Sequence, residues 1–138
     1  MGGIENAVLL AARLFLAALY LIFGWRKAAD WAGTVAQMVG DGVATPRLAS
    51  GIAIVMELPV SFVVAAGVFT RPAAVAMAAY TLGTSLVEHR YWTVKGPGQL
   101  DKMEAFYKNL AIIGGFLLLS VTGAGAWSID GLCGLGWR

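Results

Sequence analysis

Charge is scarce in this chain. Only 13% of its 138 residues are Asp, Glu, Lys or Arg, against about 25% in a typical soluble domain. A chain of this length cannot cover itself with so few polar groups, and its mean hydropathy of +0.73 points to bilayer as the solvent. Cysteine is limited to Cys133, which excludes an internal disulfide and dithiol chemistry within one chain. His89 is the only histidine. With one distant cysteine it makes no ligand set of zinc spacing, and Met38, Met56, Met77 and Met103 read as packing residues, so neither metal nor haem is expected. A net charge of +2 is too small to suggest nucleic acid. Met1–Asn6 lacks Lys and Arg and contains Glu5, unlike the basic start of a secretory signal, so the first oily block is expected to be a retained helix.

What the chain has is oily runs: Ile4–Trp25, Leu48–Phe69, Pro72–Val87 and Asn109–Gly123. A spanning helix needs ~20 residues; the first two runs suffice and the last two borrow flanking residues. None alternates in polarity as a barrel strand would. The expected fold is all-α: an integral membrane bundle of four transmembrane helices at about residues 4–25, 48–69, 72–89 and 105–123. With no internal repeat and no long linker, residues 1–138 form one domain. In the first connection, Trp31, Val35 and Met38 share a helical face, Asp30 suits an N-cap and Gly40 a stop. That predicts a short helix at the membrane surface; an irregular loop is the alternative. Pro72 suits a first helical turn, Asp101 a cap for the fourth helix, and Trp127 and Trp137 the interface. Arg26, Lys27, Arg47, Arg90, Lys95, Lys102 and Lys108 fall on the long connections, with only Arg71 and Arg138 opposite. The positive-inside rule then puts both termini outside the cytoplasm.

Two charges lie deep in the oily runs. Arg13 shares a face with Ala17, Tyr20, Gly24 and Lys27, and Glu57 shares one with Ser50, Ile54 and Ser61. Intramembrane charges normally face the bundle interior. At 1.5 Å per residue, Arg13 lies about 14 Å from the start of its helix and Glu57 about 18 Å from the matching end of the next. The expectation is an Arg13–Glu57 ion pair. Such a pair sets helix register, and it leaves Glu57 ionised and a poor proton shuttle. The other reading has Glu57 lining a cavity and handling a ligand or a proton.

A second polar cluster gathers where the long connections meet the membrane: Lys27, Glu88, His89, Tyr91, Trp92, Lys108 and Asn109. A neutral imidazole at an aromatic-lined edge can hydrogen-bond a quinone carbonyl. The competing reading is an ordinary interfacial belt. Gly114-Gly115 and Ala73–Ala79 are small-residue surfaces for close helix packing.

These segments together resemble the DoxX family of small four-helix bacterial membrane proteins. The matches run in order: RLFLAALYLIFGWRK from Arg13, Gly33-Thr34-Val35 followed by Pro46, ELPVSFVVAAGVFTRPAA from Glu57, H-R-Y-W at His89–Trp92, FYKNLAIIGGFLLL at Phe106–Leu119, and GAGAWSID from Gly123. The family's motif positions fall on Arg13, Lys27, Glu57, Arg71, His89, Trp92, Lys108 and Asn109. Ala124 stands where relatives commonly have proline, Trp127 where they have tyrosine, and Arg90 in place of another residue after the histidine.

The resemblance implies a multi-pass protein of the bacterial inner membrane, in contact with lipid and associated with quinone-linked redox chemistry. In that picture a quinone or similar amphipath lies between the helices, with His89 on its head group and Tyr91, Trp92, Lys27, Lys108, Asn109 and Glu57 around it. Arg13 and Glu57 fix the bundle. No residue is assigned as catalytic. The chain is at most a subunit of an oxidoreductase whose electrons come from a membrane or peripheral partner protein. Two further readings stand beside it: a structural or assembly subunit of a larger membrane complex, and a small-molecule transporter. Four helices without a repeat suit the transporter only as a homo-oligomer.

Overall fold

The computed structural model describes residues 2–135; Trp137 and Arg138, placed above at an interface and on the sparsely charged side, lie outside the described residues. The elements in chain order are α1 (Gly3–Ala29), α2 (Trp31–Gly40), α3 (Pro46–Ala66), α4 (Thr70–Glu88), a 3-10 turn (Tyr91–Thr93), α5 (Gln99–Thr122) and the short α6 (Ile129–Leu132). No strand occurs among the described residues. The short helix of the first connection is present as α2. Asp30 caps it by accepting the Gly33 N–H at 3.0 Å. The last long helix starts earlier than its oily run. Its N-cap is Gly98, at φ 93°, rather than Asp101, which sits in the first turn and favours the positive end of the helix dipole.

Three helices, α1, α3 and α5, are long and apolar enough to cross a membrane. The run expected to span at 72–89 does form α4, but α4 is not one of the three. Its inward face is Thr70, Ala73, Ala74, Met77, Ala78, Thr81 and Ser85, all buried. Small and hydroxyl-bearing residues lower its hydropathy while letting α5 approach along its length. The core joins Tyr20 of α1, Val64 of α3, Met77 and the alanines of α4, and Phe116 and Leu119 of α5. Large apolar side chains face outward instead: Phe15 is 78% exposed and Leu118 70%, a surface suited to acyl chains.

α3 changes pitch midway. Met56–Val60 form one π-helical turn around Pro59, which has no N–H to donate. The Ser61 hydroxyl donates to the Met56 carbonyl at 3.2 Å, a side-chain bond back across the π turn. Single π turns of this kind recur at functional sites. α1 crosses α3 at this turn, and Gly24 makes the crossing close: a Cβ at residue 24 would lie 2.7 Å from Glu57 Cβ and 3.0 Å from the Glu57 carbonyl carbon. Gly24→Ala should therefore force the helices apart and destabilise the fold by about 1–3 kcal/mol. A lowered detergent melting temperature with unchanged helicity checks this.

Beyond Gly67 (φ 72°) the chain turns into α4 through Phe69, whose φ of 44° is rare outside glycine. Asp130 supports that turn. Its two carboxylate oxygens accept the N–H groups of Phe69 and Thr70, each at 2.9 Å, and its own N–H donates to the Gly67 carbonyl at 2.8 Å. The segment after α5 thus folds back over one end of the bundle. Asn6 joins the same closure by accepting the Ala126 N–H at 2.8 Å.

Candidate functional site

Arg13 and Glu57, expected to pair, sit in different polar layers. The reason is axial register. Glu57 is level with Gly24 of α1, and Arg13 lies eleven residues away along that helix, about 16 Å at 1.5 Å per residue. The depth estimate placed the ends of the two helices in one plane. In the structure α1 extends past the end of α3, and Arg13 is level with that end.

There the guanidinium, 1% exposed, donates to the Ala65 carbonyl at 2.9 Å and to the Trp127 carbonyl. Ala65 belongs to the last turn of α3, whose orphan carbonyls carry the negative end of the helix dipole. Gly67 makes room: a Cβ there would lie 2.4 Å from Arg13 Nη1. The Asp130 carboxylate adds a favourable opposite charge. Arg13 therefore clamps the end of α3 to the closing segment.

Glu57 belongs to the other layer. It is 4% exposed and pairs with Lys27, which reaches back one turn from beyond Gly24. The same carboxylate oxygen, Oε1, accepts the Tyr80 hydroxyl at 2.6 Å. The Oε2 oxygen is buried with no partner among the described residues. Tyr80 stands edge-on to Tyr20, whose hydroxyl lies 2.5 Å from Thr81 Oγ1.

Tyr20, Lys27, Glu57 and Tyr80 line a cavity of about 350 Å³ together with Gln37, Thr84, Glu88, His89 and Asn109. Two concavities adjoin it. One, of about 260 Å³, is apolar, runs past Met38, Val43, Ala53 and Val87, and shares Tyr80, Thr84 and Glu88 with the cavity. The other is a polar mouth at Arg26, Asp30, Thr34 and Gln37, sharing Lys27. A larger groove of about 480 Å³ lies between α1 and α5; it is lined by apolar residues such as Leu9, Phe15, Leu16, Ile112 and Leu118, with Thr122 its one polar side chain.

Of the residues expected around a ligand, Lys27, Glu57, His89 and Asn109 meet at this cavity, and Glu88 joins them. Tyr91, Trp92 and Lys108 are not among its lining residues. Tyr91 and Trp92 pack with Phe106 and Tyr107 in an aromatic cluster beside it, Tyr91–Trp92 centroids being 5.3 Å apart. Lys108 points outward, 3.7 Å from Glu104, with its side chain 75% exposed. The sequence reading missed Tyr80, Thr84 and Gln37 as lining residues. The period of α4 carried the signal: Tyr80, Thr84 and Glu88 recur at steps of four on one face. Among the described residues no three His, Cys, Asp or Glu side chains converge to hold a metal ion.

His89, just past the end of α4, has its pKa lowered below the ordinary 6.5, by burial first and then by Lys102 and Lys27, against an opposing pull from Asp41. The folded chain therefore holds the proton less well than the unfolded one. Its contribution to stability is complete above about pH 6.5 and is lost as pH falls towards the folded value. Detergent melting temperatures between about pH 7.5 and about pH 5 should decline with acid in the wild type, and more shallowly in His89→Gln.

An all-helical chain with three helices able to cross a membrane, an apolar exterior and a polar cavity at one end is a small membrane protein with an internal site. It belongs to the DoxX family, whose model matches residues 8–90. That stretch contains Lys27, Glu57, Tyr80, Glu88 and His89 and stops short of Asn109. The chain is 43% identical over 129 residues to Inner membrane protein YphA of Escherichia coli (strain K12), covering 94% of this chain and 92% of the relative. It is 36% identical over 137 residues to Inner membrane protein YqjF of the same organism, covering 99% of this chain and all of the relative. No solved structure matches the chain.

Proposed function

We propose that the protein is an inner-membrane subunit that binds a quinone-type amphipath, ring in the polar cavity and tail in the adjoining groove. One observation carries the reading: the Lys27–Glu57–Tyr80 cluster lines a cavity that shares Tyr80, Thr84 and Glu88 with an apolar groove. Small-molecule sites combine an apolar lining with a few convergent polar groups in this manner. The volumes of about 350 Å³ and about 260 Å³ suit a single ring and a few methylene groups. His89, its proton affinity lowered, presents a neutral imidazole to the ring. A bound ring would carry two electrons, exchanged with a partner protein, while this chain's own groups bind and orient it. The names of the relatives support an inner-membrane location, and the inward-facing polar side of α4 supports its spanning the bilayer with α1, α3 and α5. The excess of Lys and Arg at the cavity end would set that end towards the cytoplasm, with α2 along the surface.

Binding of a short-tailed benzoquinone couple to protein in nanodiscs tests the reading. The wild type should bind at least one redox form saturably. Thr84→Phe, which fills the junction of cavity and groove while keeping every charged group, should abolish binding. No binding of either form to the wild type would overturn it.

A further inference from the structure

The closing end of the bundle, opposite the cavity, holds a cation that the fold leaves without a partner. Arg13 there is occupied by the Ala65 and Trp127 carbonyls. Asp130 is occupied by the Phe69 and Thr70 N–H groups, and its charge is matched by that of Arg13. Arg71, in the first turn of α4, remains. Among the described residues Arg71 donates no hydrogen bond, and the ion pairs are Lys27–Glu57 and Lys108–Glu104. Arg71 is partly exposed. Its guanidinium lies beside Gly123, with Nε 3.4 Å and Nη2 3.7 Å from where a Cβ on that glycine would stand. Arg71 and Gly123 line a recess of about 220 Å³ together with Thr122, Gly125 and Asp130.

Thr122 also lines the apolar groove between α1 and α5, so recess and groove adjoin. The two walls of the groove are equally long. It runs from Leu9 to Leu19 on α1 and from Ile112 to Thr122 on α5, each about 15 Å at 1.5 Å per residue. That is half of a ~30 Å hydrocarbon core. α1 begins at the closing end, where Asn6 accepts the Ala126 N–H, and α5 ends there. The groove therefore descends from the recess through the depth of one leaflet. Trp127, 53% exposed in the closing segment, suits the interface above it.

We infer that this end binds one glycerophospholipid, with its phosphate on Arg71 in the recess and an acyl chain in the α1–α5 groove. A guanidinium fork matches a phosphate, and an acyl chain matches a groove one leaflet deep. A helix from a second copy would need a surface that continues across both leaflets. A wholly apolar ligand would leave Arg71 unanswered. The last carbonyls of α5 also attract Arg71 through the helix dipole, and the experiment separates that role from lipid binding. The site does not depend on what fills the cavity at the other end.

Native mass spectrometry of the protein in a non-ionic detergent reads the number and affinity of bound lipids. The probes are a phosphatidylglycerol, a diacylglycerol with the same chains, and inorganic phosphate. The wild type should bind one phosphatidylglycerol saturably. Diacylglycerol should bind about ten-fold more weakly, for want of a hydrogen bond between charged groups. Arg71→Gln should weaken phosphatidylglycerol by a similar factor, whereas Lys95→Gln, an exposed cation at the opposite end, should not. Ala12→Phe fills the groove, keeps every charge and should weaken both lipids. No loss in Arg71→Gln, or equal loss in Lys95→Gln, would overturn the inference and leave Arg71 to balance the end of α5. Diacylglycerol or inorganic phosphate binding as tightly as phosphatidylglycerol would also overturn it, as would a dimer that added lipid does not disperse. The comparison of probes on the wild type decides the matter even if a variant does not fold.

Discussion

Arg13→Ala is expected to lower stability by roughly 3–5 kcal/mol, because it deletes two hydrogen bonds from a charged, buried donor and leaves both acceptor carbonyls without it. The lost partners are the Ala65 and Trp127 carbonyls. Loss should appear as a large drop in detergent melting temperature, and as new protease cleavage in the segment after Gly123. Arg13→Lys should recover little, since a single ammonium does not reproduce the spread of a guanidinium fork. A double-mutant cycle separates this from the expectation of an Arg13–Glu57 pair. With about 16 Å of helix between the two layers, Arg13→Ala and Glu57→Ala should add within about 0.5 kcal/mol. A coupling well above that would contradict the register at Gly24.

The second large effect belongs to Lys27. Lys27→Met leaves the Glu57 carboxylate buried with only Tyr80 for a donor, and stranding one partner of a buried pair typically destabilises by about 3–5 kcal/mol. Replacing both, as Lys27→Met with Glu57→Gln, should restore most of it, because a neutral amide needs no counter-charge. The cycle is read from melting temperatures in one detergent. If the double variant is as unstable as the sum of the singles, Lys27 is not the partner of Glu57. The two cycles together place each charge in its own layer: Arg13 independent of Glu57, and Lys27 coupled to it.

Much of the fold was legible because its helices are long and strongly apolar. The inward face of α1 shows why: steps of three and four from Arg13 picked out Ala17, Tyr20 and Gly24, and the structure buries all of them. Helical period is local, so it can be read from one segment. The Arg13–Glu57 pairing could not be, since it depends on how far one helix slides past another, and Gly24 sets that slide through a contact with a residue thirty-three positions on. Glu57 was legible as an inward charge but its partner was not, because Lys27 lies outside the oily run and reaches back into it. The segment after α5 read as a glycine-rich tail, yet Asp130 in it holds the turn into α4. Nothing in the local pattern ties an aspartate there to Phe69 and Thr70, sixty residues away. Tyr91 and Trp92 share a motif with His89, and that adjacency carried them into the expected site. The 3-10 turn directs both rings into the neighbouring aromatic cluster, where Phe106 and Tyr107 receive them.

The reach of Arg13 bears on how the molecule is made. Its carbonyl partner at Trp127 is separated from it by 114 residues. At about 5–20 residues per second a ribosome needs roughly 6–23 s to synthesise that interval. During that wait the cation sits on a nascent helix already entering the lipid phase, where an unshielded charge is costly. Insertion machinery, a lipid phosphate or water drawn into the bilayer must shelter it until Ala65 docks beside it, and its set of partners is complete only when the last stretch emerges and locks the assembly shut.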